Sequence, residues 1–198
     1  MIQTYEELKA AIKNWLHRDD LDARIPEFIS LGESAINRML RVREMETKST
    51  VTFSTVTAPL PAGYMEMIAF SDDLGVPLVA VSADELNSNI VGKPHYYRVS
   101  SVIEFDRTPD TEYTFNLRYY KRLDIENEVN AVLLNHPDIY LYAALLSAEP
   151  YLKNDQRITT WKGLLDGLIT DAHWQAQRNK NTLKTDVSVI GSFNITTG

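Results

Sequence analysis

Enzymatic chemistry needs a nucleophile, a proton-transfer group or a set of metal ligands at a workable spacing, and this sequence offers few candidates. The four histidines, at 17, 95, 136 and 173, are scattered, and none belongs to an H-E-x-x-H or comparable ligand pair. The sharpest local constellation is His136-Pro137-Asp138, where an imidazole and a carboxylate could cooperate as general base and orienting group. A helix start accounts for the same residues better. Asn135 or His136 ends a connector, Pro137 takes a first helical position where its missing N–H is not needed, and Asp138 meets the positive helix end. Gly32-Glu33-Ser34-Ala35-Ile36 only approaches the G-x-S-x-G elbow, and it falls inside a helical pattern instead of at a strand-to-helix turn. "GVPLVAV" and "GKPHYY" lack the glycine spacing of a phosphate-binding loop. The acid pairs Asp19-Asp20 and Asp72-Asp73 fit turns, where short carboxylates bond to nearby backbone, and "DIENEVN" at 124–130 reads as a solvated connector. There is no cysteine, which removes thiolate metal sites and cysteine nucleophiles. The residues therefore assemble no catalytic site, no metal site and no cofactor site.

Charge points the same way. A formal net charge of -7 opposes a protein built to grip polyphosphate. The basic residues Arg38, Arg41 and Arg43 are interleaved with Glu33, Glu44 and Glu46, as on a solvated or intersubunit face, and Glu33, Asn37, Arg38 and Arg41 are the candidate intersubunit residues of that helix. Exposed aromatics can stack bases on a sheet, so Tyr96-Tyr97 and Tyr119-Tyr120 are weighed for that role; strand alternation turns one of each pair inward, and the basic surround is thin. The N-terminus mixes Glu6, Glu7, Lys9 and Lys13 into its apolar residues, so no secretory signal is expected, and no apolar run is long enough to span a membrane. A soluble chain made in a cytoplasm is expected, which makes the Asn194 sequon a chance match.

The elements that would position any site follow from periodicity. Thr4 and Glu7 form a capping box ahead of Tyr5, Leu8, Ile12, Trp15 and Leu16, which predicts a helix over 5–16. Ile25, Phe28, Ile29, Gly32, Ala35, Ile36, Met39 and Leu40 trace a second stripe, predicting a helix that ends near Arg43, with Pro26 close to its start. From 46 to 122 the period becomes two, clearest in "TEYTFNLRYY", where Tyr113, Phe115, Leu117 and Tyr119 share a face. Half-buried antiparallel strands are expected there, five to seven of them in a small sandwich or barrel-like unit, with Ser82 and Glu85 capping a brief helix. Residues 133–153 are apolar almost all round, as in a buried helix that Pro150 bends or ends, and Asp155 can cap a final helix fading into "QAQRNKN".

The expected fold is thus α+β: an antiparallel helical bundle from 1–45 and 124–180, an inserted β unit at 46–123, and an extended tail at 181–198. The tail "VSVIGSFNITTG" alternates without an evident partner strand. Its β-branched and aromatic content predicts an extended segment that adds to another molecule, with Val187, Val189, Ile190, Phe193 and Ile195 as anchors.

Longer phrases carry a resemblance. "RIPEFISLGESAINRMLRVREME" (24–46), "LPAGYMEM" (60–67), "GKPHYYRV" (92–99), "YTFNLRYYKRL" (113–123) and "HPDIYLYAALLSAEPYLKNDQRITTWKGL" (136–164) resemble, in order and spacing, the head-to-tail adaptor proteins of short-tailed bacteriophages. The resemblance implies a structural ring subunit with no catalytic residues and no cofactor, present in several copies, commonly twelve. Such a ring sits under the portal, offers a docking surface to the tail nozzle or fibres, and surrounds a channel through which genomic DNA passes. It implies contacts between helical faces of neighbouring subunits and a C-terminal extension that reaches the portal. A net negative wall would let DNA slide without adhering. The alternatives are a tail-tube or gatekeeper connector, a nucleic-acid-binding module using the Tyr pairs and "RVREMETK", and an enzyme using His136 and Asp138.

Overall fold

A computed structural model describes residues 1–86, 89–152 and 155–190. The chain divides into two units, one formed by 1–44 with the chain from 123 onward and the other by 45–122.

In the helical unit, α1 (Tyr5–Leu16) starts where the capping box places it. Thr4 Oγ1 accepts the Glu7 N–H at 3.2 Å, while the Glu7 carboxylate reaches one residue further back and accepts the Gln3 N–H at 2.7 Å. Leu8, Ile12 and Leu16 are its buried stripe, and His17 closes it in a left-handed conformation with φ 52°. α2 (Ile25–Met39) buries Ile25, Phe28, Ile29, Gly32 and Ile36. Gly32 is required by packing: a Cβ there would lie 2.8 Å from the Ala143 carbonyl carbon and the Ala144 nitrogen, so α2 crosses the helix that carries them at backbone distance. The apolar stretch expected as one helix from 133 is two. α3 (Ala131–Asn135) is capped by Asn130, whose Oδ1 accepts the Leu133 N–H at 2.9 Å, and α4 (Pro137–Leu152) begins at Pro137. α4 is buried through Ile139, Tyr140, Leu141, Ala143, Ala144, Leu145 and Ala148, and carries Pro150 in its last turn.

α5 runs from Asp155 to Ile190. The extended tail expected from 181 is therefore corrected over 181–190, where the helix continues. Its residues "TLKTDVSVI" carry only one β-branched pair in sequence at a time, and helical hydrogen bonding inside a segment already nucleated upstream outweighs the alternation that suggested a strand.

In the β unit, β1 (Glu46–Phe53), β9 (Tyr113–Lys121) and β3 (Tyr64–Ser71) form an antiparallel sheet in the order β1-β9-β3. A second sheet has the order β2-β7-β6-β4, from β2 (Thr57–Ala58), β7 (Ile103–Phe105), β6 (Tyr96–Val99) and β4 (Val79–Ala80). β5 (Ile90–Val91) pairs with β8 (Arg107–Thr108). Two of the pairings, β4 with β6 and β5 with β8, are parallel, a departure from the antiparallel expectation, and none of the three sheets closes into a barrel. The first two sheets share one core. Phe53 stacks on Phe105 at 4.0 Å between ring centroids, and Phe115 meets Phe53 edge-on at 5.0 Å. Ser82 and Glu85 form the expected capping box, on a single 3-10 turn (Ala83–Glu85).

Candidate functional site

The helix face read as intersubunit is largely occupied within the chain. Asn37 is buried, and its side-chain amide pairs with the backbone of Leu123 in both directions: Nδ2 donates to the Leu123 carbonyl at 3.1 Å and Oδ1 accepts the Leu123 N–H at 2.9 Å. One turn earlier, the Glu33 carboxylate accepts the Ile125 N–H at 2.8 Å and the Tyr140 hydroxyl at 3.0 Å. These two side chains act as a clasp that fixes the chain where it re-enters the helical unit. Burial raises the Glu33 carboxyl above its ordinary value, the two hydrogen bonds oppose that, and the neighbouring Asp124 and Glu126 add to it. Tyr140 is pushed upward in turn by burial and by Glu33, so its hydroxyl stays a donor. Glu33 and Asn37 are thus engaged within the chain, because distant backbone groups claim their side chains.

Arg41 is engaged within the chain as well. Its guanidinium donates to the carbonyls of Asn37 at 2.8 Å and Leu40 at 2.7 Å, and its backbone N–H donates to His173 Nε2 at 3.2 Å. α2 ends at Met39, four residues before the expected Arg43, with the Arg41 guanidinium on its last carbonyls and the Arg41 N–H turned to His173, 132 positions away. Arg38 alone of the four is exposed.

The chemical candidates resolve as structure. The His136 backbone closes α3 by donating to Val132 at 2.7 Å, Asp138 Oδ1 accepts the Ile139 N–H at 3.0 Å, and no hydrogen bond joins the His136 ring to Asp138 among the described residues. Asp72 builds the expected turn, accepting from the N–H groups of Leu74 at 3.0 Å and Val76 at 2.7 Å, and Lys93 Nζ donates to it at 2.6 Å. The Lys93 ammonium holds the Asp72 carboxyl below its ordinary value. Among the described residues no group of three or more His, Asp or Glu is placed to hold a metal ion. Tyr97 is buried and Tyr96 half exposed, as alternation predicts, but Tyr119 and Tyr120 are both buried, so the second pair offers no ring to a base.

Sequence reasoning missed Glu149 altogether. It is fully buried in α4, where one carboxylate oxygen accepts the Trp161 indole N–H at 2.8 Å and the other has no partner among the described residues. Trp161 also stacks with Tyr142 at 5.6 Å, and Trp15 meets both rings edge-on at 5.6 and 5.9 Å. A lone Glu within an apolar helix, in "LLSAEPYL", is the only signal that pointed to it.

Of the tail anchors, Val187, Val189 and Ile190 fall on helical backbone, and Phe193 and Ile195 lie outside the described residues. These positions therefore do not form one extended strand.

Clasps and caps account for these side chains, and a comparison with known families says what the chain is. The family model described as SU10 adaptor protein matches residues 3–188. The chain belongs to the SU10 adaptor protein family. The match spans the helical unit and the β unit together, and it makes the chain a head-to-tail adaptor, a structural component of the phage virion and not an enzyme. That role involves portal and tail components as neighbours. No curated protein matches the adaptor's sequence.

Proposed function

We propose that the adaptor works as a ring of about twelve copies under the portal, passing the load of the tail nozzle or fibres to the head and lining a channel for the genome. The observation that carries this reading is the family match over residues 3–188. The net charge of -7, repeated around a ring, supports a wall that repels phosphate, so that DNA slides through without specific binding. No membrane takes part, and synthesis in the host cytoplasm precedes assembly. The helical parts 1–45 and 124–180 and the β part 46–123 act as separate domains in this scheme.

The C-terminal end is the proposed contact to the portal or to a neighbouring subunit, through Val187, Val189, Ile190, Phe193 and Ile195. The helical backbone to Ile190 favours a helical arm leading to a short terminal segment over strand addition along the whole tail. Arg38, exposed on α2, is the residue proposed to face the next copy.

Electron microscopy of the protein mixed with its portal tests the reading directly. A closed ring bound to the portal is the expected image, and free monomers beside an undecorated portal would overturn it. Deletion of 185–198 is expected to leave a folded protein that docks poorly; normal docking by the truncation would remove the tail from the contact.

A further inference from the structure

One face of the β1-β9-β3 sheet is buried in the β-unit core, and the opposite face presents two cations to each other. Lys48 on β1 lies directly across from Arg118 on β9, both are exposed, and neither is ion-paired among the described residues. Like charges directly opposed on one sheet face destabilise it. Toward one end of that face their neighbours are short, with Ala69 flanking Arg118 on the β3 side and Thr50 and Ser71 flanking Asn116, while at the other end Glu46 on β1 and Glu66 on β3 lie opposite Tyr120. Long cationic side chains beside short ones leave a groove of about 640 Å³ along the sheet. Ser49 also lines the groove, and its buried Oγ has no hydrogen-bond partner among the described residues. Asn116 directs its amide N–H at the Asp72 carbonyl, 3.0 Å away. The groove therefore holds two unneutralised cations in a polar, open channel, which suits an anionic chain segment.

The source of that segment follows from charge. A body carrying -7 repels nucleic acid overall, whereas every copy of it brings acids of its own. The stretch Asp124-Ile125-Glu126-Asn127-Glu128 that follows β9 keeps Asp124, Glu126 and Glu128 exposed, followed by the exposed apolar Val129. Its backbone is held in place by the Glu33 bond to Ile125, so the acids are displayed on a fixed loop and need little ordering to bind. We propose that the Lys48–Arg118 groove of one copy receives the acidic connector 124–128 of a second copy. The contact rests on the ring reading and supplies an interface for it: it covers the basic groove with the next subunit's acids and leaves the assembled surface acidic.

The test is the association state of the full-length protein by sedimentation velocity, alone and with its portal present. Four samples are compared with wild type: K48E/R118E, E126K/E128K, an equal mixture of those two, and K48Q/R118Q. Each reversal alone is expected to weaken association between copies by about tenfold or more, and the mixture is expected to regain it because each reversed groove then meets a reversed connector. K48Q/R118Q is expected to melt no lower than wild type, since it removes the like-charge opposition, yet to associate as poorly as the reversal, which separates lost docking from lost fold. Unchanged association in K48E/R118E, a mixture that does not recover, or a wild type that forms no contact between copies under either condition overturns the proposal. So does a K48Q/R118Q variant that associates normally but loses binding to duplex DNA. Copies that associate through the groove but do not decorate the portal uphold it and overturn the portal reading instead.

Discussion

The two units solve the same problem, holding polar groups inside a folded chain, in opposite ways. In the helical unit a half-buried carboxylate lies against backbone N–H and a tyrosine hydroxyl, with two other acids nearby, and its carboxyl is raised. In the β unit Asp72 meets a lysine as well as backbone, and its carboxyl is lowered. The apolar cores differ too. The helical unit gains contact by bringing two backbones together over Gly32, while the β unit fills its interior with stacked and edge-on rings. Close approach suits helices whose faces carry small residues; ring packing suits two sheets about 10 Å apart that short side chains would not fill.

The largest break in the comparison is expected from F105A, which removes a fully buried ring stacked on Phe53. It should cost about 3–5 kcal/mol in urea unfolding. Trp15, Trp161 and Trp174 all lie in the helical unit, so tryptophan fluorescence reports that unit while far-ultraviolet circular dichroism reports both. Separate transitions in F105A would mean the two units unfold independently, and a common shift would mean they unfold as one.

G32A comes next, with an expected loss of about 3 kcal/mol read by tryptophan fluorescence, because the new methyl meets rigid backbone at 2.8 Å. Helix propensity alone predicts the reverse sign, a gain of about 1 kcal/mol for alanine over glycine. The sign of this one measurement therefore decides between local preference and helix crossing. N37A should cost about 2 kcal/mol by leaving both backbone groups of Leu123 without their partner in a buried position.

The smallest effects are in pH dependence, where the two units should show opposite signs. Asp72 is lowered from 3.8, so the unfolded chain takes up its proton first on acidification; its stabilisation is complete above 3.8 and is lost as pH falls through the folded value. Stability of D72N should therefore fall less steeply than wild type in that acid range. Glu33 is raised from 4.5, so the folded chain holds its proton more tightly; that stabilisation is complete below 4.5 and is lost as pH rises through the folded value. E33Q keeps an oxygen for both donors without the charge, and should flatten the decline between 4.5 and neutral pH. Parallel profiles for wild type and E33Q would show that the carboxylate is better solvated than its hydrogen bonds imply.

Much of the framework was legible locally. The α1 boundaries, the Thr4 and Ser82 boxes, the start of α4 at Pro137 and the alternation of β9 all rest on residues within a few positions of one another. The misses share a different cause. α2 stops at Met39, where the Arg41 N–H turns to His173, Glu33 and Asn37 turn inward because of Leu123 and Ile125, and Tyr120 is buried on the strand face that alternation assigned outward. The missing cysteines and scattered histidines were plain in the sequence, whereas the role of Glu149 was not, since its partner Trp161 stands on another helix.

By itself the sequence determined the type and order of most elements, the α+β class, the acidic charge and, through its longer phrases, the family. These are carried by hydrophobic period and by caps within one or two turns. The tertiary structure alone decided which polar residues are spent inside the chain, where α2 ends, that two strand pairings are parallel, and that Lys48 faces Arg118 across a groove. Each of those depends on a partner brought near only by folding, 86 positions away for Asn37 and 132 for Arg41, and no local pattern records such a partner.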